Sequence, residues 1–177
     1  MGVNKVAAWW GFAEATLFFI VPDVWLSIVG RDNFKKGLVA CTYSLIGALF
    51  GGALLFWWGS HYFTSASTVL NSIPAIDQEM LTRVQSELSE QGLLAMMLGP
   101  LSGTPYKTYA IYAAHSEINF WWFLLLSIPA RLIRFVTVVI FSHYLSRFIG
   151  NKTKLSPLII IIATWSLFYG AYFYTMS

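Results

Sequence analysis

Five ionisable side chains stand where a charge is expensive. Glu14, Asp23, Lys107, Arg131 and Arg134 each fall within a stretch dominated by apolar residues. On insertion scales a charge at the centre of a spanning helix costs about 2.5–3.5 kcal/mol. Five of them unpaired would sum to about 12–18 kcal/mol, comparable with the stability of a whole domain. They must therefore pair with one another, meet water or meet a charged ligand. Arg131 and Arg134 are spaced i, i+3 and share a helix face. Two acids against three bases leave a surplus positive charge, and guanidinium forks match phosphate oxygens. The set is suited to holding an anionic or zwitterionic phosphate headgroup. Glu14 and Asp23 would balance the cations when no headgroup is present and could exchange protons. A salt-bridge network that merely pins the chain together is the alternative.

Other chemistries find less support. No histidine lies near the two acids in sequence, and nothing has metal-ligand spacing, so no metal, cofactor or catalytic residue is expected. His143 reads as packed, and His61 and His115 as polar tips near helix ends. Cys41 is the single cysteine, which excludes a disulfide framework. The segment from Gly99 to Thr104 lacks the Gly-Lys-Ser/Thr ending of a nucleotide loop, though its backbone N–H groups could meet a phosphate. A net charge of +3, scattered along the chain, gives no reason to expect nucleic-acid binding.

The elements that position the five charges follow from hydropathy. Of 177 residues, 57% are hydrophobic and 11% charged, against roughly a quarter charged in soluble domains. A spanning helix needs about 20 mostly apolar residues. Gly37 to Phe63, Asn119 to Ser146 and Leu155 to Met176 each qualify, and Gly47, Ala48, Gly51 and Gly52 offer the first a close-packing face. Val6 to Gly30 contains Glu14 and Pro22-Asp23, and Lys5 ahead of it gives a signal-like start that Glu14 interrupts, so it reads as mature sequence. Gln91 to Ala114 is broken between Gly99 and Pro105. Broken backbone at membrane depth must be buried in protein or line a wet cavity. Both segments read as re-entrant helical hairpins, with Pro22 at one tip and Gly99, Pro100, Gly103 and Pro105 at the other.

Charge counting agrees. Arg31, Lys35 and Lys36, and then Arg147, Lys152 and Lys154, mark the cytoplasmic side. The acidic stretch from Ser60 to Glu90 lies outside, where Asp77 to Leu94 reads as an interfacial helix with Met80, Leu81, Val84 and Leu88 on one side. Opposed hairpins, each followed by a full span, make an inverted repeat. Pro22-Asp23 with Asn33-Phe34, against Pro105-Tyr106 with Asn119-Phe120, gives that repeat faint support in the residues themselves. The expected fold is an all-α integral membrane protein of two opposed re-entrant hairpins and three transmembrane helices. It forms one domain: a first half over 1–63, an outer linker over 64–90, a second half over 91–150 and a last helix over 151–177. Trp9, Trp10, Trp57, Trp58, Trp121 and Trp122 read as interfacial belt or helix packing.

The pieces Glu14, Phe19-Ile20-Val21-Pro22-Asp23, the glycines from Gly47 to Gly52, Thr104-Pro105-Tyr106-Lys107 and Arg131-Leu132-Ile133-Arg134-Phe135 together resemble the DedA family, whose shared unit is also called the VTT domain. The likeness runs from about Phe12 to Gly150 and is nearest to a short bacterial branch. The first tip carries one proline where the family commonly has two, and Lys107 stands where many members have arginine. The resemblance implies a multi-pass inner-membrane lipid transporter or scramblase with a cytoplasmic N-terminus, acting on undecaprenyl phosphate or phospholipids, in some members with proton coupling. It would make Lys107, Arg131 and Arg134 the headgroup-binding residues, and Glu14 and Asp23 the charge-balancing or proton-coupling ones. Membrane lipids are the expected partners, and a homodimer is possible. The other readings are an assembly factor with no transport of its own, and a lipid-phosphate enzyme.

Overall fold

The computed structural model describes residues 2–73, 76–152 and 156–176, and their side chains outside 100–102, 150–152, 175 and 176. Among the described residues every regular element is helical: α1 (Val3–Ala15), α2 (Asp23–Asp32), α3 (Phe34–His61), α4 (Phe63–Asn71), α5 (Gln78–Gln91), a 3-10 turn (Gly92–Leu94), α6 (Ala95–Ser102), α7 (Tyr106–His115), α8 (Phe120–Lys152) and α9 (Pro157–Met176). Three are long and apolar enough to cross a membrane: Phe34–His61, Phe120–Ile149 and Pro157–Tyr174. Lys154, Leu155 and Thr153 of the Asn151-Lys152-Thr153 triplet lie outside the described residues. The long helices α3 and α8 begin alike. Asn33 Oδ1 accepts from the Lys36 N–H at 3.0 Å, and Asn119 Oδ1 from the Trp121 N–H at 2.9 Å, each an asparagine N-cap.

Helix α3 is the spine, and its small residues set how closely neighbours approach. A Cβ on Gly47 would collide with the Ala8 carbonyl oxygen, and one on Gly11 with the Ser44 carbonyl oxygen. The backbones of α1 and α3 therefore touch, and the Ser44 hydroxyl donates to the Ala7 carbonyl at 3.0 Å. Further along α3, Gly52 lies against the Tyr106 ring and Gly59 against the Ile111 backbone, which seats α7. Helix α8 packs on both α2 and α3.

Both segments expected to be broken are broken, and the second break is shorter than its residues suggest. In the first, residues 16–22 separate α1 from α2. In the second, Gly99 and Pro100 belong to α6, and only residues 103–105 interrupt the helix. A proline forgoes one backbone bond, whereas the stop is set by Gly103. Its φ of 77° is left-handed, and the Thr104 N–H returns to the Gly99 carbonyl at 2.9 Å. Residues from the ends of each broken segment lie near one another or near the neighbouring long helix. Lys5 at the start of α1 shares a surface depression with Lys35 and Lys36 at the start of α3. Gly92, just before α6, shares another with Ser116 after α7. The second pair opens at the far end of α3, where the Phe63 and His115 rings stack at 3.7 Å.

The linker holds more structure than expected. Helix α4 is additional to the expected elements: Phe63, Ala66 and Leu70 fall at i, i+3 and i+7, the last two buried, a stripe too short to stand out. Helix α5 begins at an Asp77 cap and buries Leu81, Val84 and Leu88, as the spacing predicts. Those residues face protein, in one core with Leu70, Tyr109 and Ala110.

Candidate functional site

The five charges, four of them buried and Arg134 partly exposed, meet where the two breaks face each other. Arg131 and Arg134 come from α8, Glu14 from the last turn of α1, Asp23 from the first turn of α2 and Lys107 from the first turn of α7. Arg131 Nη2 donates to Glu14 Oε2 at 2.6 Å, both side chains buried. The same guanidinium lies 4.1 Å over the Tyr106 ring, a cation–π contact that occupies its second face. Its Nε and Nη1 are buried with no hydrogen-bond partner among the described residues. Arg134 Nε donates to Asp23 Oδ2 at 2.7 Å, and Nη2 bonds the same oxygen. Asp23 Oδ1, also buried, has no hydrogen-bond partner among the described residues.

Lys107 is the surplus cation. It is 2% exposed, and its ammonium donates to the Phe18 carbonyl at 2.7 Å, inside the first break. Among the described residues no carboxylate forms an ion pair with it. Its place in the first turn of α7 works against the helix dipole, which favours negative charge there. That turn has no side-chain cap.

The open backbone of the first break is held from three directions. Besides Lys107, Trp10 Nε1 donates to the Ile20 carbonyl at 2.9 Å, and the Val21 N–H donates to the Tyr169 hydroxyl of α9 at 2.9 Å. The second break is held by α5. Arg83 Nη2 donates to Thr104 Oγ1 at 2.9 Å, and the Tyr109 hydroxyl to Glu87 Oε2 at 2.6 Å. Between the breaks lies a cavity of about 280 Å³ whose wall includes Glu14, Asp23, Lys107 and Arg134, with Thr104, Trp165 and Tyr169. Arg131 sits behind Glu14 and is not part of that wall. Of the tip residues, Gly103 and Pro105 line the cavity, and Gly99 packs on Tyr109. Pro22 directly precedes α2, and Pro100 lies in α6, its side chain outside the described residues.

No family model matches the chain, and no solved structure matches it significantly. A protein of Haemophilus influenzae, called uncharacterized, is similar to it: 25% identical over 169 residues, or 93% of this chain and 85% of the relative. The likeness runs along nearly the whole chain and brings no activity with it.

Several residues of the site were not singled out from sequence. Tyr106 beneath Arg131 was legible only as the neighbour of Lys107. Ser127, which shares a 2.9 Å hydrogen bond with the Tyr106 hydroxyl, stands at i−4 from Arg131 on the same face of α8. Trp165 and Tyr169 lie in an almost uniformly apolar helix, where no pattern marks them. Trp10, read as belt or packing, serves the broken backbone. His143 is packed, as expected, against Phe34 with Nδ1 3.1 Å from the Gly30 carbonyl oxygen.

Proposed function

We propose that this protein is a DedA-like lipid transporter of a bacterial inner membrane, moving a lipid with a phosphate headgroup such as undecaprenyl phosphate or a phospholipid. The observation that carries the reading is the cavity between the two breaks, walled by two carboxylates and two cations and set among apolar helices. Lys107 is the cation left over once each acid has its arginine, and a phosphate entering beside it would meet the uncapped start of α7 and then Arg134. Arg131 holds Glu14 in place behind the wall. Glu14 and Asp23 balance the charge between transport cycles and are the groups that would carry protons if the cycle is proton-coupled.

In this reading α1–α2 and α6–α7 are re-entrant hairpins that enter from opposite faces. The folded-back ends support it: three lysines gather where the first pair opens, and acidic α5 lies where the second opens. The N-terminus and the lysine end are then cytoplasmic. An inverted repeat is supported by matching landmarks. A proline precedes a ten-residue helix in each half, at Pro22 and at Pro105, and an Asn-Phe cap follows at Asn33 and Asn119. The second arm of each pair also packs on the long helix of the other half, α7 on α3 and α2 on α8. A homodimer is compatible with this arrangement.

The second reading, a non-transporting assembly factor, draws on the pairing of Glu14 and Asp23, which is what a structural pin requires. Fluorescent-lipid translocation in proteoliposomes separates the two. Wild type is expected to move phosphate-headgroup lipids and Arg131→Ala to lose that activity while remaining inserted. No transport by well-inserted wild type, with and without a pH gradient, would favour the assembly factor.

A further inference from the structure

Three cavities follow one another along the seam between α8 and α9, and they differ in chemistry. The charged cavity of the site shares Trp165 with a second cavity of about 350 Å³. That second cavity is walled chiefly by Val138, Phe141, Leu145 and Ile149 of α8 and by Ile160 and Ile161 of α9. It shares Ser146 and Pro157 with a third, which carries Arg31, His143 and Arg147. The middle cavity contains five hydroxyls, of Ser27, Thr137, Ser142, Ser146 and Thr164, and all but that of Ser142 are turned to backbone. Thr137 bonds the Ile133 carbonyl at 2.8 Å, Ser146 the His143 carbonyl at 2.9 Å and Thr164 the Ile160 carbonyl at 2.8 Å. What it offers an occupant is chiefly hydrocarbon. At the border with the charged cavity Trp165 Nε1 donates to Ser27 Oγ at 3.0 Å, and that serine is already bonded to the Val24 carbonyl.

We infer that the α8–α9 seam is the path of the lipid, with the middle cavity holding its hydrocarbon tail and Trp165 dividing tail from headgroup; this rests on the lipid-transport reading. The order polar vestibule with Arg147 beside the Arg31–Asp32 pair, apolar groove, charged cavity matches a molecule with an anionic head and an apolar chain. The groove continues into a site already suited to phosphate, which argues for one lipid spanning both. Helix α9 is the movable wall. Most of its surface is exposed, and Trp165 and Tyr169 reach across to Ser27 and the Val21 N–H.

The test uses full-length protein in phosphatidylcholine nanodiscs carrying a phosphatidic acid with a diazirine in one acyl chain. Adducts are mapped by peptide mass spectrometry, and translocation is followed in parallel. Adducts should concentrate several-fold on residues 137–149 and 157–165 over the exposed α3 face at Phe50, Leu54 and Trp57. A diacylglycerol probe without phosphate should lose most of that preference. Ser142→Phe and, from the facing helix, Ile161→Trp should each fill the groove and lower seam labelling several-fold, with near-wild-type thermal unfolding in at least one of the pair. Trp165→Ala should extend adducts into residues 103–107. Adducts spread evenly over all exposed apolar positions would overturn the inference, as would labelling indifferent to both filling variants or a protein–protein crosslink in the seam in place of lipid. Seam labelling without translocation would support the path and sink the transporter reading; translocation with labelling elsewhere would do the reverse.

Discussion

The ammonium of Lys107, in the first turn of α7, grips the Phe18 carbonyl in the middle of the α1–α2 break. One half of the chain thereby closes the open backbone of the other, and it does so with the cation that has no carboxylate of its own. Holding a carbonyl and attracting a phosphate are competing uses of the same three donors.

Lys107→Met should therefore separate structure from transport. It keeps the length of the side chain but leaves the Phe18 carbonyl without that donor, a loss of about 1–3 kcal/mol. The expected result is a measurably lower unfolding temperature in detergent, normal insertion and no translocation. Lys107→Arg should retain most transport. Full activity in Lys107→Met would remove this residue from the headgroup site.

The Glu14–Arg131 pair predicts a non-additive cycle. Removing one partner of a buried pair costs roughly 3–5 kcal/mol because the other is left charged and dry, whereas replacing both is often neutral. Glu14→Gln and Arg131→Met should each destabilise strongly, and the double variant should recover most of the loss in a thermal unfolding assay. That recovered double variant should still fail to move lipid. If it transports as wild type does, the pair is a pin and nothing more.

Close backbone approach predicts a contrast between two glycines. Gly47→Ala puts a methyl group into the Ala8 carbonyl, an overpacking cost of about 1–3 kcal/mol. Gly170→Ala meets nothing within 4 Å and should stabilise α9 by about 0.5–1 kcal/mol. Unfolding midpoints that shift the same way for both would count against the α1–α3 contact.

Topology can be read by thiol labelling in intact cells, with Cys41 buried and unreactive as background. Ser89→Cys and Ser116→Cys flank α6–α7, and both are exposed. If that pair is re-entrant, both label with an impermeant maleimide from the outer face. Labelling from opposite faces would mean that the segment crosses.

What the sequence made legible was chiefly what the membrane penalises. The three apolar spans and both breaks stood out because charge and proline are costly there, and the same cost marked all five charged residues of the site. The boundary at Gly103 did not stand out, because Gly99 and Pro100 suggest an earlier break, whereas a left-handed glycine ends a helix more firmly than a proline within it. The matching landmarks behind the proposed repeat were nearly invisible for a geometric reason. Asn33 alone joins α2 to α3, whereas four residues join α7 to α8, among them Glu117 with a φ of 57°. The matching caps therefore stand at unequal offsets from their prolines. Trp165 and Tyr169 were illegible because their partners, Ser27 and the Val21 N–H, lie 138 and 148 residues away.

Those long separations also govern how the chain can be made. Glu14 is 117 residues ahead of Arg131, and Asp23 is 111 ahead of Arg134. At about 5–20 residues per second of synthesis, each acid waits on the order of 6–20 seconds for its arginine to emerge. Until then α1 and α2 hold two unneutralised carboxylates that lipid will not accept. If α1 and α2 are re-entrant as proposed, the nascent first half would shelter in a hydrated place, at the membrane surface or within the insertion machinery, and sink to its final depth when α8 arrives.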